Sequence, residues 1–255
     1  MDEKRLYVDL HVIQTVPPSC INRDDTGSPK TAIYGGTTRA RVSSQAWKHA
    51  MRKYFSQLFH EQKMGNRTKK VIEMVAEEIR LQDPDEMDAE KKASEALKNA
   101  GVKINDKKGE SEALLFMSKG QAKALAQLAV SKNTEKKAYK EAMQKEPSYD
   151  MALFGRMVAS DPSLNYDAAA QVAHSISTHT IHNEYDYFTA VDDCSPDESA
   201  GAGHLGTVEF NSSTMYRYAT INVMELYRHL GKDTAAVAEG FIKAFICSMP
   251  TGRQN

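Results

Sequence analysis

The 255-residue sequence predicts an α+β protein, a ferredoxin-like sheet interrupted by a helical insertion and a long loop. Three observations carry that expectation. Leu6, Val8, Leu10 and Val12 alternate with Tyr7, Asp9 and His11, the period-two pattern of a half-buried strand. Residues 59–145 are rich in Lys, Glu, Ala and Gln with little β-branched character, which favours helices. Near the other end, Tyr216, Tyr218 and Thr220 alternate with Arg217, Ala219 and Ile221, and Val237, Phe241, Ala244 and Phe245 then recur at helical spacing.

Taken in order, residues 1–58 read as the first part of the sheet domain. The strand is expected to stop at Pro17-Pro18. Asp24, Gly27, Pro29 and Gly35-Gly36 are turn chemistry, so 22–38 is expected to be a flexible loop. An amphipathic helix follows, with Ser43 or Ser44 as its N-cap and Trp47, Met51, Tyr54, Phe55 and Leu58 on its buried face. Strand, loop and helix in this order open a β-α-β-β-α-β unit, the architecture of RNA-recognition domains.

Residues 59–173 read as the helical insertion. Val71, Ile72, Val75 and Ile79 mark one helix, and 88–99 followed by Gly101 marks another. Leu114–Phe116 and Leu125, Leu128 and Ala129 give shorter apolar faces, and 168–173 is expected to be helical. Residues 174–185 supply a strand of the sheet, and 186–213 a long loop in which Phe188 and Leu205 sit among Asp, Ser, Gly and Thr. Residues 214–255 give the last strand and helix. A split β-α-β unit needs one further strand, which the polar 250–255 cannot provide, so the chain is expected to be a fragment cut within its sheet domain.

Charge is distributed unevenly. The whole chain has a formal net charge of −1, yet residues 26–60 hold six Lys/Arg (Lys30, Arg39, Arg41, Lys48, Arg52, Lys53) and no Asp or Glu. Gln45, Lys48, His49 and Arg52 lie at i, i+3, i+4 and i+7, one polar cationic stripe along the helix. A Ser-Ser helix start behind two arginines, with that stripe beside it, suits phosphate. A pI near 6.7 excludes a bulk DNA-coating protein and leaves a local basic groove.

Other chemistries find no support. No run approaches the ~18 apolar residues of a membrane span, and the start of the chain has no signal-peptide pattern. Cys20, Cys194 and Cys247 are odd in number and far apart, which points to reduced thiols in a cytosol. Gly201, Gly203 and Gly206 spell a dinucleotide fingerprint, but no helix follows them. His174, His179 and His182 have no carboxylate or cysteine at ligand spacing, so no metal and no cofactor is expected. Asp24-Asp25 could hold a divalent ion against a phosphate, although consecutive acids in a turn more often bond local backbone groups.

The blocks CINRDD, AIYGG and RVSSQAWKHAMRK, then FGRMVAS, AHSISTHTIH, YFTAVDD, HLGTVEF and YRYATIN, resemble in the same order the CasC family, the backbone subunit of the type I-E CRISPR surveillance complex Cascade. The resemblance covers residues 8–255 and suggests the N-terminal two-thirds or so of a family member. It implies a palm, a helical finger (59–173) and a thumb (186–213) in a non-enzymatic protein of the prokaryotic cytoplasm. Such a subunit would polymerise along a CRISPR guide RNA and present it for pairing with target DNA, with further copies of itself and the other Cascade subunits as partners. The implied RNA contacts are Arg23, Asp25, Lys30, Arg41, Ser43, Gln45, Lys48 and Arg52, with Met157, Phe188 and Leu205 as apolar contacts to bases. Two alternatives stay open: a metal-dependent RNA endonuclease of the same fold using Asp24 and Asp25, and a generic single-strand RNA-binding module.

Overall fold

The computed structural model describes residues 5–158, 160–189 and 205–252. The chain begins with β1 (Tyr7–Ser19), β2 (Thr31–Tyr34), β3 (Thr37–Val42) and α1 (Ser44–Phe55). It continues through β4 (Gly65–Thr68), α2 (Val71–Gln82), α3 (Ala89–Asn99), β5 (Ile104–Asn105), β6 (Glu110–Ser111) and β7 (Leu115–Ser118). Then come α4 (Lys119–Val130), α5 (Lys136–Gln144), α6 (Tyr149–Phe154), β8 (Ala170–Val172) and β9 (Ser175–Ser177). The last elements are β10 (Glu184–Thr189), β11 (Leu205–Asn222), α7 (Val223–Leu230) and α8 (Thr234–Cys247). Helices and antiparallel strands are both extensive, as an α+β protein requires. Among the described residues, no helix is long and apolar enough to cross a membrane.

Two units are interleaved along the chain. The first comprises Asp9–Lys53, Val172–Thr220 and Ile242–Asn255. Its sheet follows the order β1-β11-β9-β3-β2, with β8 and β10 pairing to β11 off that path. α1 and α8 lie on one face. Trp47 of α1 donates its indole N–H to Ser175 Oγ at 2.8 Å, and Arg217 of β11 sits between the rings of Trp47 and Phe245, 3.8 and 4.6 Å from their centroids. Arg217 is 1% exposed and, among the described residues, has no acidic partner. It donates instead to Gln14 Oε1 at 2.7 Å and to the Phe245 carbonyl. Burial lowers its pKa to about 10.

The second unit comprises Met1–Val8, Tyr54–Gln171 and Ile221–Phe241. α2, α3, α4 and α5 enclose a core that includes Val75, Ile79, Leu97, Leu125 and Met143. The helical spacing of these residues is why each helix has one dry face. α4 starts with a full capping box, Ser118 and Gln121 each bonding the other's backbone. Arg156 is buried and donates to the carbonyls of Leu164 and Met143 and to Gln121 Oε1, which holds the segment after α6 against α4.

Four expectations are corrected. Residues 22–38 are not all loop. β2 and β3 form a hairpin closed by Gly35-Gly36 at φ +63° and +77°, the left-handed pair that a two-residue hairpin turn demands. Pro17 and Pro18 lie inside β1, which occupies an end of the described sheet order and so can spare two ladder N–H groups. Residues 168–173 contain a strand rather than a helix: Ala170 and Val172 are buried on either side of exposed Gln171, a period of two. Leu115 and Phe116 likewise belong to a strand, β7, buried on both faces.

Within 186–213, residues 186–189 and 205–213 also depart from a loop. β10 pairs with β11 from Glu184↔Phe210 to Thr189↔Leu205, so these two stretches form an antiparallel hairpin arm. Tyr185, Tyr187, Val208 and Phe210 favour strand, and the Asp, Ser and Gly content that suggested a loop is concentrated in 190–204, outside the described residues.

Candidate nucleic-acid interface

The basic segment is held by backbone bonds from its own turn. Asn22 Oδ1 accepts from Ser43 N at 2.9 Å, Lys30 N donates to the Asn22 carbonyl at 2.9 Å, and Arg41 N donates to the Lys30 carbonyl at 2.9 Å. These bonds fasten the 22–30 turn to the junction of β3 and α1. Asn22 is a positioning residue that the sequence reading counted only as the start of a loop. Its signal was an amide side chain beside a turn, the residue type most apt to bond nearby backbone.

Ser43 caps α1. It is buried, and its Oγ accepts from Ala46 N at 3.2 Å. Its hydroxyl therefore serves the helix start. Asp24 closes the adjacent turn: one carboxylate oxygen accepts from Thr26 Oγ1 at 2.7 Å, Thr26 N at 2.9 Å and Ser28 N at 3.0 Å. The Thr26 hydroxyl, followed by backbone N–H groups, holds the Asp24 carboxyl below the usual range. Asp25 and Arg23 are exposed beside it, and Arg23 bridges Pro29 across the turn. Among the described residues, no group of three or more His, Cys, Asp or Glu is placed to hold a metal ion.

Lys30, Arg41, Lys48 and Arg52 are half-buried, while Gln45 is exposed. Arg41 is fixed by a bond from Nε to the Thr31 carbonyl at 2.9 Å and lies 3.5 Å from His174 Nδ1. On α1 the Gln45-Lys48-His49-Arg52 stripe runs beside the face that buries Trp47, Met51 and Phe55. Burial lowers the Lys48 ammonium pKa, and a phosphate beside it would raise that pKa again.

Phe188 stands on the hairpin arm, 43% exposed, with its ring over Gly206 of the facing strand. A side chain at Gly206 would collide with that ring, since an added Cβ would lie 2.3 Å from Phe188 Cζ. Leu205 is paired with Thr189 through its backbone. Arg23, Asp25, Lys30, Arg41, Ser43, Gln45, Lys48, Arg52, Phe188 and Leu205 all belong to the first unit. Met157 belongs to the second, where it is 83% exposed next to buried Arg156. Half-buried cations are of a kind that neutralises phosphates, and an exposed aromatic ring is of a kind that stacks on bases without reading sequence.

The family model described as "CT1975-like protein" matches residues 8–255. No curated protein matches. Among solved structures, a chain of a "CRISPR RNA-guided surveillance complex, pre-nicking" is 34% identical over 98% of this chain and 74% of its own length, with a TM-score of 0.77. A chain of a "CRISPR RNA-guided surveillance complex" is 28% identical over 96% of this chain and 73% of its own, with a TM-score of 0.66. The family match spans nearly the whole sequence and agrees with the similarity in fold, so the chain belongs to the CT1975-like protein family and is homologous to subunits of CRISPR surveillance complexes.

Proposed function

We propose that the protein is a guide-RNA-binding backbone subunit of a Cascade surveillance complex of type I-E, in the prokaryotic cytoplasm. It polymerises along the guide and presents the bases for pairing with target DNA. The observation that carries this is the acid-free segment 26–60, whose cations Lys30, Arg41, Lys48 and Arg52 all belong to one unit, the one in which Ser43 caps α1. Its homology to surveillance-complex subunits supports the same reading. A guide varies in sequence, so its holder should grip phosphate and sugar and leave recognition to base pairing.

Replacing Lys48 and Arg52 together with Ala should weaken binding of single-stranded RNA about equally for all sequences. The slope of log affinity against log salt should flatten by roughly 0.7 for each lost contact. An unchanged slope removes both residues from the site. Binding proceeds without cleavage in this reading, because Asp24 already accepts three bonds from its own turn. RNA held by the protein should stay intact with Mg²⁺ or Mn²⁺. Cleavage that stops with a chelator and with Asp25→Ala would restore the endonuclease reading.

A further inference from the structure

The registers of the sheet place a second set of residues together. Arg41 of β3 lies opposite Ile176 of β9, and Ile176 lies opposite Tyr216 of β11, so the three share one face in one row. Their neighbours Val42, Ser175, Ser177 and Met215 point to the other face and are all buried there, beneath α1 and α8. His11 of β1 extends the row: its Nδ1 is 2.7 Å from Tyr216 Oη, and its ring stacks at 26° to the Tyr216 ring. Tyr218 lies tilted against His11 at 5.0 Å. Tyr216 is 40% exposed and His11 is exposed, although both are side chains of a central sheet.

We propose that this open face is a base-stacking platform for single-stranded RNA, with Tyr216 and His11 as the stacking surface and Arg41 as the phosphate contact at its edge. The inference rests on the RNA-binding reading above and adds a site to it. Charge selects the occupant. Arg39 shares the face of Arg41 by strand alternation, and β2 and β3 lie in the acid-free segment. Of the acids that share this face, Asp9 beside His11 is engaged by the Tyr218 hydroxyl at 2.9 Å, while Glu184 and Asp186 lie opposite Phe210 and Val208, further along β11 from Tyr216. Two strand spacings separate Arg41 from Tyr216, about 10 Å, so a nucleotide stacked on the tyrosine leaves its neighbour's phosphate within reach of the arginine.

The test uses the full chain and a single-stranded oligoribonucleotide carrying 5-iodouridine, with anisotropy for affinity and mass spectrometry for photo-crosslinks. Tyr216→Leu should weaken binding about tenfold, within the range measured for loss of one stacked base, with the melting temperature kept. Tyr216→Phe retains the ring and should bind as the parent does, even though the bond to His11 is gone. Crosslinks should map to Tyr216 or His11. If Tyr216→Leu binds normally and crosslinks fall elsewhere, the platform is refuted while the K48A/R52A salt slope still reports on the wider reading. If the substitution changes sedimentation and leaves RNA affinity intact, the face joins two copies of the chain and the proposal fails. A parent protein that takes up no RNA overturns both.

Discussion

Arg217 shows how much one buried cation can organise. It is one of the largest fully buried side chains, and it ties β11 to α1 through Trp47 and to α8 through Phe245. Arg217→Ala should cost about 3 kcal/mol, the range for emptying a large buried site. Arg217→Met should cost clearly less, because similar volume without a charge avoids desolvation. Urea midpoints of the two variants check this, and equal losses would mean that the cation itself is the stabilising part. At the helix start, Ser43→Ala should lower stability by roughly 1 kcal/mol through the lost cap. Tyr149 offers a test by pH. Burial, and then its bond to Asp233, raises its pKa to about 12 from an ordinary 10.0. A raised folded value means that its contribution is complete below pH 10 and is lost as pH climbs through about 12. The parent should therefore lose stability faster than Tyr149→Phe across that window in denaturation series.

At the scale of elements, the arm formed by β10 and β11 is the natural place to separate binding from folding. Tyr185 and Tyr187 are 70% and 63% exposed there, so the arm owes little to a core. Phe188→Ala with Leu205→Ala should leave the melting temperature nearly unchanged and weaken RNA binding, by about 1–3 kcal/mol for each stacked base lost. A large thermal loss with RNA affinity intact would make these side chains core. The arm also shows what the sequence concealed. Period-two alternation was plain in β1 and in 215–223, helical spacing was plain in α1, α2 and α8, and α3 was marked by its start and by Gly101 beyond its end. Short strands were harder: β2 and β3 flank Gly35-Gly36, and the glycines read as loop when they were the turn of a hairpin. Ala168–Ala170 suggested helix by propensity, and pairing with β11 overrode it. The cationic stripe was legible because its periodicity is local. The row from Arg41 to Tyr216 was not, because it exists only once residues 41, 176 and 216 are set side by side by strand pairing.

For the whole molecule, the proposed role makes a quantitative demand. If copies of the chain load along a guide, the mass of the complex should rise in equal steps as the RNA is lengthened, measurable by native mass spectrometry. A constant one-to-one complex at every length would favour a generic RNA-binding module instead. The alternation along β11 carries a last consequence. Met215, Arg217 and Ala219 face the packed side of the sheet, while Tyr216 and Tyr218 face the open side. Inserting or deleting one residue in 214–219 would exchange the two sets, driving Tyr216 inward and a guanidinium outward. Substitutions are a gentler probe. Scored for solubility alone, a saturation scan should show a comb, intolerant at 215, 217 and 219 and permissive at 216 and 218. Scored for RNA retention, the same comb should lose its gap at 216, so a single strand would report folding and binding on alternate teeth.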